Sequence, residues 1–461
     1  MMQLSQISEA VNGRMLGADV LLHGVSINTR TDCQNRLFVA LRGEQFDAHD
    51  FIEQARDAGA SAALVESAAQ QKVEQSELPS VIVDDTHQAL KDLAAWWRAQ
   101  FALPLIGVTG SVGKTSVKEM LGSIFAQIGD GVVTKGNLNN EIGVPLTLMR
   151  LAADDTYAII EMGMNHAGEI SRISQMAKPT IALINNAAAA HLEGLGSIAA
   201  VARAKAEIFE GLASDGIAII NNDDVFAPQW VQLVDNRQII SFALHGKADV
   251  TATYRQIDNA LKLKVSGLGK EFKVRIATVG EHNVANALAA IATSLAANIP
   301  VDKIKSGLRA YRPISGRLDL QSYGSTTIID DTYNANPLSM QAAIKVLSAY
   351  PDTTLIIGDM AELGAAAEQE HIQLGQVVAQ ADIDTLLVCG QYADLVLQGY
   401  QAKGTKQAYA FESQEKLIEF AEQFIDTGTI LVKGSRSAQM EIVVTALQAK
   451  FQNGPQEQGV H

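Results

Sequence analysis

The sequence predicts an α/β fold of three domains, each built on a sheet with helices packed against it. Three observations carry this. Short apolar runs alternate with segments of helical periodicity along most of the chain. A length of 461 residues is long for one core, and a length prior suggests roughly three. In the stretch Pro104 to Ser116, PLIGVTGSVGKTS, a strand-like run passes through glycines and Lys-Thr into a helical pattern.

Residues 1–84 read as a small mixed α/β domain. A helical pattern covers Leu4 to Leu16, a strand Arg36 to Arg42, a helix Phe51 to Ala58 and a strand Ala62 to Val65. Beside these strands, Ser26 to Arg30 and the turn Gly43 to Asp50 gather polar groups. Ser26, Arg30, Arg42, Asp47 and His49 are candidate substrate contacts there, and a solvated loop is the plain alternative.

Residues 85–313 form the predicted central domain. It opens with the apolar-faced helix HQALKDLAAWWRAQF and continues with runs at Leu105 to Val108, Tyr157 to Glu161, Thr180 to Ile184 and Gly216 to Ile220. Helical segments separate them, which implies a mostly parallel sheet. From Asp249 to Val279 polar and apolar residues alternate, as in LKLKV, which predicts an antiparallel edge. In residues 314–461 the alternation restarts at Thr327 to Ile329, Thr354 to Ile357, Thr385 to Val388 and Thr429 to Val432, giving a Rossmann-like third domain. No G-x-G-x-x-G follows any of these runs, which argues against a dinucleotide there.

Charge and cysteine usage narrow the function. A net charge of −15 argues against nucleic acid as partner, because phosphate backbones need a basic surface. Cys33 and Cys389 are far apart with no C-x-x-C and fit incidental thiols in a reducing compartment. The start MMQLSQISEAVNGRM lacks a basic stretch followed by an apolar core, and no apolar run is long enough for membrane insertion, so a cytoplasmic protein is expected. The last residues, GPQEQGVH, read as a disordered tail.

The glycine-rich stretch carries the strongest chemistry. Gly110 and Gly113 have no Cβ to block a phosphate chain, so the turn Thr109, Gly110, Ser111, Val112, Gly113 can aim backbone N–H groups at it. Lys114 then reaches the β/γ oxygens, Thr115 offers its hydroxyl to Mg2+, and Ser116 follows at the helix start. The general pattern places glycine where Val108 stands, so the loop is a variant.

A metal site belongs at neighbouring strand ends. Glu161 closes one strand, and His191 follows the next after an Ala-rich turn. Alone, each also fits a helix cap or a structural hydrogen bonder, and Lys205 alone fits a snorkelling surface lysine. Asn137, Asn139 and Asn140 either satisfy turns or bind a peptide-like ligand. His282, Asn283 and Asn286 begin a long apolar helix, where capping is the simpler reading. Asp330 to Pro337 follows a third-domain strand, where a ligand crevice is expected.

Together, T-G-x-x-G-K-T from Thr109, Glu161-Met-Gly, the Ala-rich turn into His191-Leu-Glu, Ala204-Lys205-x-Glu-Ile-Phe, His282-Asn283-x-x-Asn286, Gly316-Arg317 and D-D-x-Y-N-A-N-P from Asp330 resemble the Mur ligase family. The resemblance covers essentially the whole chain in order. It implies a UDP-sugar domain, a central P-loop ATPase and a third domain that brings in the amino acid or dipeptide.

Residue by residue, the resemblance assigns Lys114 and Thr115 to ATP and Mg2+, and Glu161 and His191 to Mg2+. Asn283, Asn286 and Arg317 go to the nucleotide, with Asn283 and Arg317 beside its base, and Asp331 to ATP on domain closure. Lys205 matches a lysine that several members carry carbamylated on a second Mg2+. Tyr333, Asn334, Asn336, Lys433, Ser435 and Arg436 are candidate substrate contacts. Phe46-Asp-Ala-His-Asp50, Lys135 to Asn140, Gly358-Asp-Met-Ala-Glu-Leu-Gly364 and Val432 to Ser437 resemble the branch that joins D-Ala-D-Ala to UDP-MurNAc-tripeptide, and the D-N-P-R run of the third-residue-adding branch is missing. The expected protein is a monomeric enzyme using ATP and one or two Mg2+. A family ligase with another acceptor, including a folylpolyglutamate type, and a non-catalytic nucleotide-gated binding protein are the competing readings.

Overall fold

The structure, a computed structural model, describes residues 1–31 and 33–453. The tail read as disordered lies outside the described residues. Three larger sheets follow one another along the chain.

The first sheet holds β1 (Arg14–Leu16), β2 (Val25–Ser26), β3 (Leu37–Val39), β4 (Ala62–Glu66) and β5 (Ser80–Val83) in the order β1-β5-β4-β3-β2. All neighbours are parallel except β1 against β5. The helical pattern read over Leu4 to Leu16 is half right: the helix stops at Ala10 and Arg14–Leu16 joins the sheet. Asn12 turns the chain with φ 50, and Gly13 lies so close to β5 that a Cβ would stand 2.4 Å from Val81 Cγ1.

Helix α1 (Thr86–Arg98), capped by the Asp85 carboxylate on the His87 and Gln88 N–H groups, leads into the central sheet. Its Leu90, Leu93 and Ala94 are buried in a core that also takes in Leu64 and Val81 of the first sheet and Ile160 and Ile184 of the central one. The two sheets are thus joined through continuous apolar packing.

The central sheet contains β6 (Leu105–Thr109), β7 (Gly131–Val133), β8 (Tyr157–Glu161), β9 (Ile181–Ile184), β10 (Ile217–Asn221), β11 (Gln238–Ala243), β12 (Val250–Ile257), β13 (Ala260–Gly267) and β14 (Lys270–Ile276). Their order is β14-β13-β12-β11-β10-β9-β6-β8-β7. The strands from β7 to β12 pair in parallel, and β12, β13 and β14 form the antiparallel edge that the alternating sequence predicts.

Both faces of this sheet are covered. Tyr157, Ile159, Ile181 and Leu183 enter one core, while Ala158, Ile160, Ala182 and Ile184 enter the other. That two-residue period explains why the strands read as unbroken apolar runs. Each fully buried large apolar side chain is worth about 1.5–3 kcal/mol. Helix α2 (Lys114–Phe125) buries Val117, Met120, Leu121, Ile124 and Phe125 in the second core. Because β6 lies between β8 and β9, with the chain departing to either side, the crevice at its carboxyl end is the sheet's topological switch point. The chain then forms α3 (Ile198–Ala206), followed by one tighter turn at Glu207–Glu210. After β14 comes α4 (Glu281–Ala296).

The third sheet has six strands where four were read: β15 (Asp319–Tyr323), β16 (Thr326–Asp331), β17 (Thr353–Ile357), β18 (Thr385–Cys389), β19 (Gln407–Phe411) and β20 (Gly428–Lys433), in the order β15-β16-β20-β17-β18-β19. The two unforeseen strands, β15 and β19, are the edges. Neither contains a fully buried residue, so their sequences DLQSY and QAYAF lack the apolar run that marks a central strand. Helices α5 (Pro337–Leu347) and α6 (Ala367–Gln380) pack on this sheet.

Candidate active site

At the end of β6 the Thr109 hydroxyl donates to the Met162 carbonyl at 2.9 Å, tying this strand to β8. The chain then turns through Gly110. At Gly113 φ is +81, and a Cβ would stand 2.2 Å from Asn286 Oδ1 and 2.7 Å from Asn185 Nδ2, so a side chain has no room. The loop differs from expectation at two N–H groups. Those of Ser111 and Val112 donate to the carbonyl and side-chain oxygens of Asn186 at 3.0 and 2.9 Å. The Ser111 hydroxyl donates to the Ala188 carbonyl at 3.2 Å. Anion-facing donors are therefore those at the first turn of α2, where helical N–H groups have no partner within the helix.

Lys114 folds back to donate to the Gly110 carbonyl at 2.6 Å. Burial draws its pKa below the usual lysine range; Glu161 and Glu362 oppose this and Arg317 adds to it. Thr115 donates its hydroxyl to Glu161 Oε2 at 3.0 Å and accepts from Arg317 Nη2 at 3.0 Å. Glu161, 2% exposed, receives Asn139 Nδ2 on its other oxygen at 2.8 Å. Ser116 faces the Tyr311 hydroxyl.

Of the asparagine cluster, then, Asn139 orients Glu161. Asn140 caps the next helix by accepting from the N–H groups of Ile142 and Gly143, and Asn137 is exposed.

His191 follows β9 with a left-handed backbone, φ 55. Its Nδ1 lies 2.7 Å from Glu362 Oε2 of the third sheet. The oxygen sits off the ring N–H direction, so this is a close approach of the carboxylate and not a linear hydrogen bond. Lys205 on α3 is 1% exposed, and its Nζ donates to the Met164 thioether at 3.7 Å. Burial, reinforced by the charge of Lys114, draws its pKa well below the lysine range. A snorkelling surface position is excluded.

Asn283 and Asn286 are buried and internally bonded. Asn185 Nδ2 donates to Asn286 Oδ1 at 2.9 Å, Asn286 Nδ2 to Asn283 Oδ1 at 3.1 Å, and Asn283 Nδ2 to Thr278 Oγ1 at 3.0 Å. They form a relay from the phosphate loop to the start of α4. Arg317 reaches from the start of the third domain to the Thr115 hydroxyl and stacks its guanidinium over the Tyr333 ring at 4.1 Å. The turn at Gly316, φ 78 and packed on Tyr333, sets that direction.

In the third sheet, Asp331 and Lys433 end β16 and β20 and pair at 2.7 Å, with the lysine 2% exposed and donating also to the Asn334 carbonyl at 2.8 Å. Asn336, a candidate substrate contact, caps α5 through the Ser339 N–H at 2.9 Å. Ser435 is fully buried against Ser437, and Arg436 is exposed with Glu441 at 2.9 Å.

At the first sheet's rim, Arg42 is exposed and pairs with Asp47 at 3.1 Å and Glu66 at 3.3 Å. Arg30 is exposed beside Asn28, and Ser26 closes a local turn on Asn28. His49 is 2% exposed with both ring nitrogens engaged: Nδ1 with Asp47 at 2.6 Å, and Nε2 accepting the Glu66 N–H at 3.0 Å. It holds the rim together and offers nothing to a ligand.

Sequence reasoning missed three site residues, Asn185, Asn186 and Glu362, and gave His282 only a place at the start of a helix. Asn185 and Asn186 follow β9 and brace the loop. His282 is pushed down to about 4 by burial, with Asp331 and Lys433 pulling in opposite directions. Glu362 stood inside the noted run Gly358 to Gly364, after a third-sheet strand, and that position was its available signal.

Among the described residues no three His, Cys, Asp or Glu side chains are close enough to hold a metal by themselves. The donor set still suits Mg2+, which usually binds one or two carboxylates and completes its shell with water and phosphate oxygens. Glu161 and the Thr115 hydroxyl, 3.0 Å apart at the loop, meet that requirement. Among the described residues no helix is long and apolar enough to cross a membrane.

Comparison with known proteins agrees along the whole chain. Family profiles match as "Mur ligase family, catalytic domain" over residues 21–98, "Mur ligase middle domain" over 108–294 and "Mur ligase, glutamate ligase domain" over 316–436. The chain is 43% identical to the UDP-N-acetylmuramoyl-tripeptide–D-alanyl-D-alanine ligase of Escherichia coli strain K12, covering 96% of this chain and 98% of that protein. It is 35% identical to the enzyme of that description from Haemophilus influenzae, covering 97% and 98%. A crystal structure of MurF from Acinetobacter baumannii superposes with a TM-score of 0.89 at 35% identity, covering 96% and 98%.

Proposed function

The chain belongs to the Mur ligase family, and on that premise we propose that it is an ATP-dependent ligase joining D-alanyl-D-alanine to UDP-N-acetylmuramoyl-tripeptide in peptidoglycan precursor synthesis. The observation that carries the reading is the convergence on Thr115: one hydroxyl at the phosphate loop is shared by Glu161 of β8 and by Arg317, which precedes the third sheet.

A carboxylate is a poor acyl donor. The tripeptide's terminal carboxylate oxygen attacks the γ-phosphorus, the bond from that phosphorus to the β–γ bridging oxygen breaks, and an acyl phosphate and ADP result. The dipeptide amine then attacks the carbonyl carbon, the carbon–oxygen bond breaks, phosphate leaves and the amine gives up a proton. Repulsion between two anions opposes the first step. Lys114 must leave the Gly110 carbonyl to meet the phosphates, while the N–H groups at the start of α2 and the Arg317 guanidinium add positive potential.

Thr115, Glu161, His191 and carbamylated Lys205 would hold one or two Mg2+, which supply further charge neutralisation when bound. Carbamylation suits the buried Lys205, whose burial disfavours the ammonium form: the amine attacks CO2, losing one proton and gaining a carboxylate. Asn283 and Asn286 tie the nucleotide end to the loop. Exposed Arg30 presents charge for the UDP-sugar beside the first sheet, and Tyr333, Asn334 and Arg436 frame the dipeptide crevice, with buried Lys433 backing it through Asp331. The setting is a cytoplasmic monomer; sedimentation at one copy's mass, 49.2 kDa, is the check on assembly.

The test is ADP release and product mass with UDP-MurNAc-tripeptide and a panel of acceptors. The reading requires product with D-Ala-D-Ala; product with single amino acids or glutamate alone would place the chain in another branch.

A further inference from the structure

We propose that Glu362 is a positioning residue for His191: by engaging Nδ1 it leaves Nε2 free for a cation, and because the third sheet carries it, cation affinity at the cradle becomes coupled to approach of that sheet. The inference rests on the reading that His191 helps hold Mg2+.

The contact joins separate parts of the molecule. His191 follows β9 of the central sheet, Glu362 follows β17 of the third, and their side chains meet at 2.7 Å. The apposition is built from both sides. His191 and Glu362 both have left-handed backbones, φ 55 and 62, a conformation that costs a non-glycine residue free energy and persists only where the surroundings impose it. The Glu193 N–H points to the Glu362 carbonyl at 3.4 Å, and Gly364, φ +53, approaches so closely that a Cβ would lie 3.2 Å from the Glu193 Cα.

The base of the Glu362 loop is pinned as well. Buried His371 accepts the Met360 N–H on Nε2 at 3.0 Å and bonds the Ala367 carbonyl through Nδ1 at 2.6 Å. The Asp359 carboxylate accepts the N–H groups of Gln391 and Tyr392 at 2.7 and 3.1 Å. Glu362 is thus presented from a fixed loop.

A carboxylate held against one ring nitrogen orients a metal-binding histidine and, through its negative charge, raises the basicity of the other nitrogen; losing such a partner typically costs 10–100-fold in metal affinity. Here that partner arrives from another sheet. Whatever favours the apposed arrangement therefore favours the cation, and the converse holds by linkage.

The experiment uses the full chain with ADP and Mn2+ as the probe. Mn2+ affinity is read by electron paramagnetic resonance titration, and imidazole coordination by the nitrogen modulation of the spin echo. Four proteins are compared: wild type, His191→Ala, Glu362→Gln and Glu362→Asp. Wild type should show the nitrogen signal and His191→Ala should lose it. Glu362→Gln should bind Mn2+ about 10–100-fold more weakly with a diminished nitrogen signal, and Glu362→Asp should recover part of both. Wild-type affinity and nitrogen signal in Glu362→Gln, with the signal lost in His191→Ala, would overturn the proposal and leave the metal role of His191 standing. An unchanged signal in His191→Ala would remove that role, and the proposal with it.

Discussion

The rim of the first sheet and the phosphate cradle of the central sheet are both polar clusters beyond parallel strands, yet they differ in unused bonding capacity. At the rim, His49 uses both ring nitrogens and Asp47 accepts from His49 and Arg42, so the group closes on itself. In the cradle, among the described residues, Lys205 has a thioether as its one hydrogen-bond partner and Arg317 Nε is buried without one. Buried polar groups are normally satisfied, so unmet capacity marks where a ligand belongs, while a saturated cluster marks where the fold is being held.

The comparison breaks most sharply at Lys114. A unit pair at about 4 Å and an effective dielectric near 20 is worth about 4 kcal/mol, so Lys114→Ala should cut turnover by about 10³-fold or more, with the thermal midpoint little changed. ADP release near the wild-type rate would remove Lys114 from the chemistry.

Lys205 sharpens the contrast at the next level. With ¹³C-bicarbonate, wild type should show a carbamate carbonyl resonance that Lys205→Ala lacks, and the variant should lose about 10²-fold in kcat, the scale of one charge-stabilising group. A variant that turns over normally and a spectrum without the resonance would leave the buried amine unmodified.

The smallest effect belongs to the rim. Burial works to raise the Asp47 pKa, but the His49 N–H and ring, with Arg42, outweigh it and bring it down to about 2 from its ordinary 3.8. A depressed carboxylate pKa stabilises the fold fully above the unfolded value, and the contribution is lost as pH falls through the folded one. Stability should therefore decline between about pH 4 and pH 2 through Asp47, and Asp47→Asn should flatten that part of the profile while turnover at neutral pH changes little. An unaltered acid profile would mean that the His49 contact contributes nothing.

What the sequence makes legible is what neighbouring residues determine. The phosphate loop is contiguous, so its strand, glycines, Lys-Thr and helix are visible in order, and the central strands show because both faces are buried. The edge strands at Asp319–Tyr323 and Gln407–Phe411 do not show, since neither contains a fully buried residue. Contacts across sheets are hidden for a different reason. Arg317 meets Thr115 across 202 residues of chain, and no spacing rule reveals that contact. Glu362 likewise gains meaning only when the third sheet's loop reaches His191. The asparagines show a third kind of limit: one composition serves a cap at Asn140, a carboxylate brace at Asn139 and a relay at Asn283 and Asn286.

The central claim, that the cradle moves a phosphoryl group onto the peptide carboxylate before the amine arrives, has a direct test. UDP-MurNAc-tripeptide labelled with ¹⁸O in its terminal carboxylate is turned over with ATP and D-Ala-D-Ala, and the released phosphate is analysed by mass. An acyl phosphate requires one ¹⁸O to appear in that phosphate; phosphate free of label, with amide product formed, would contradict the account.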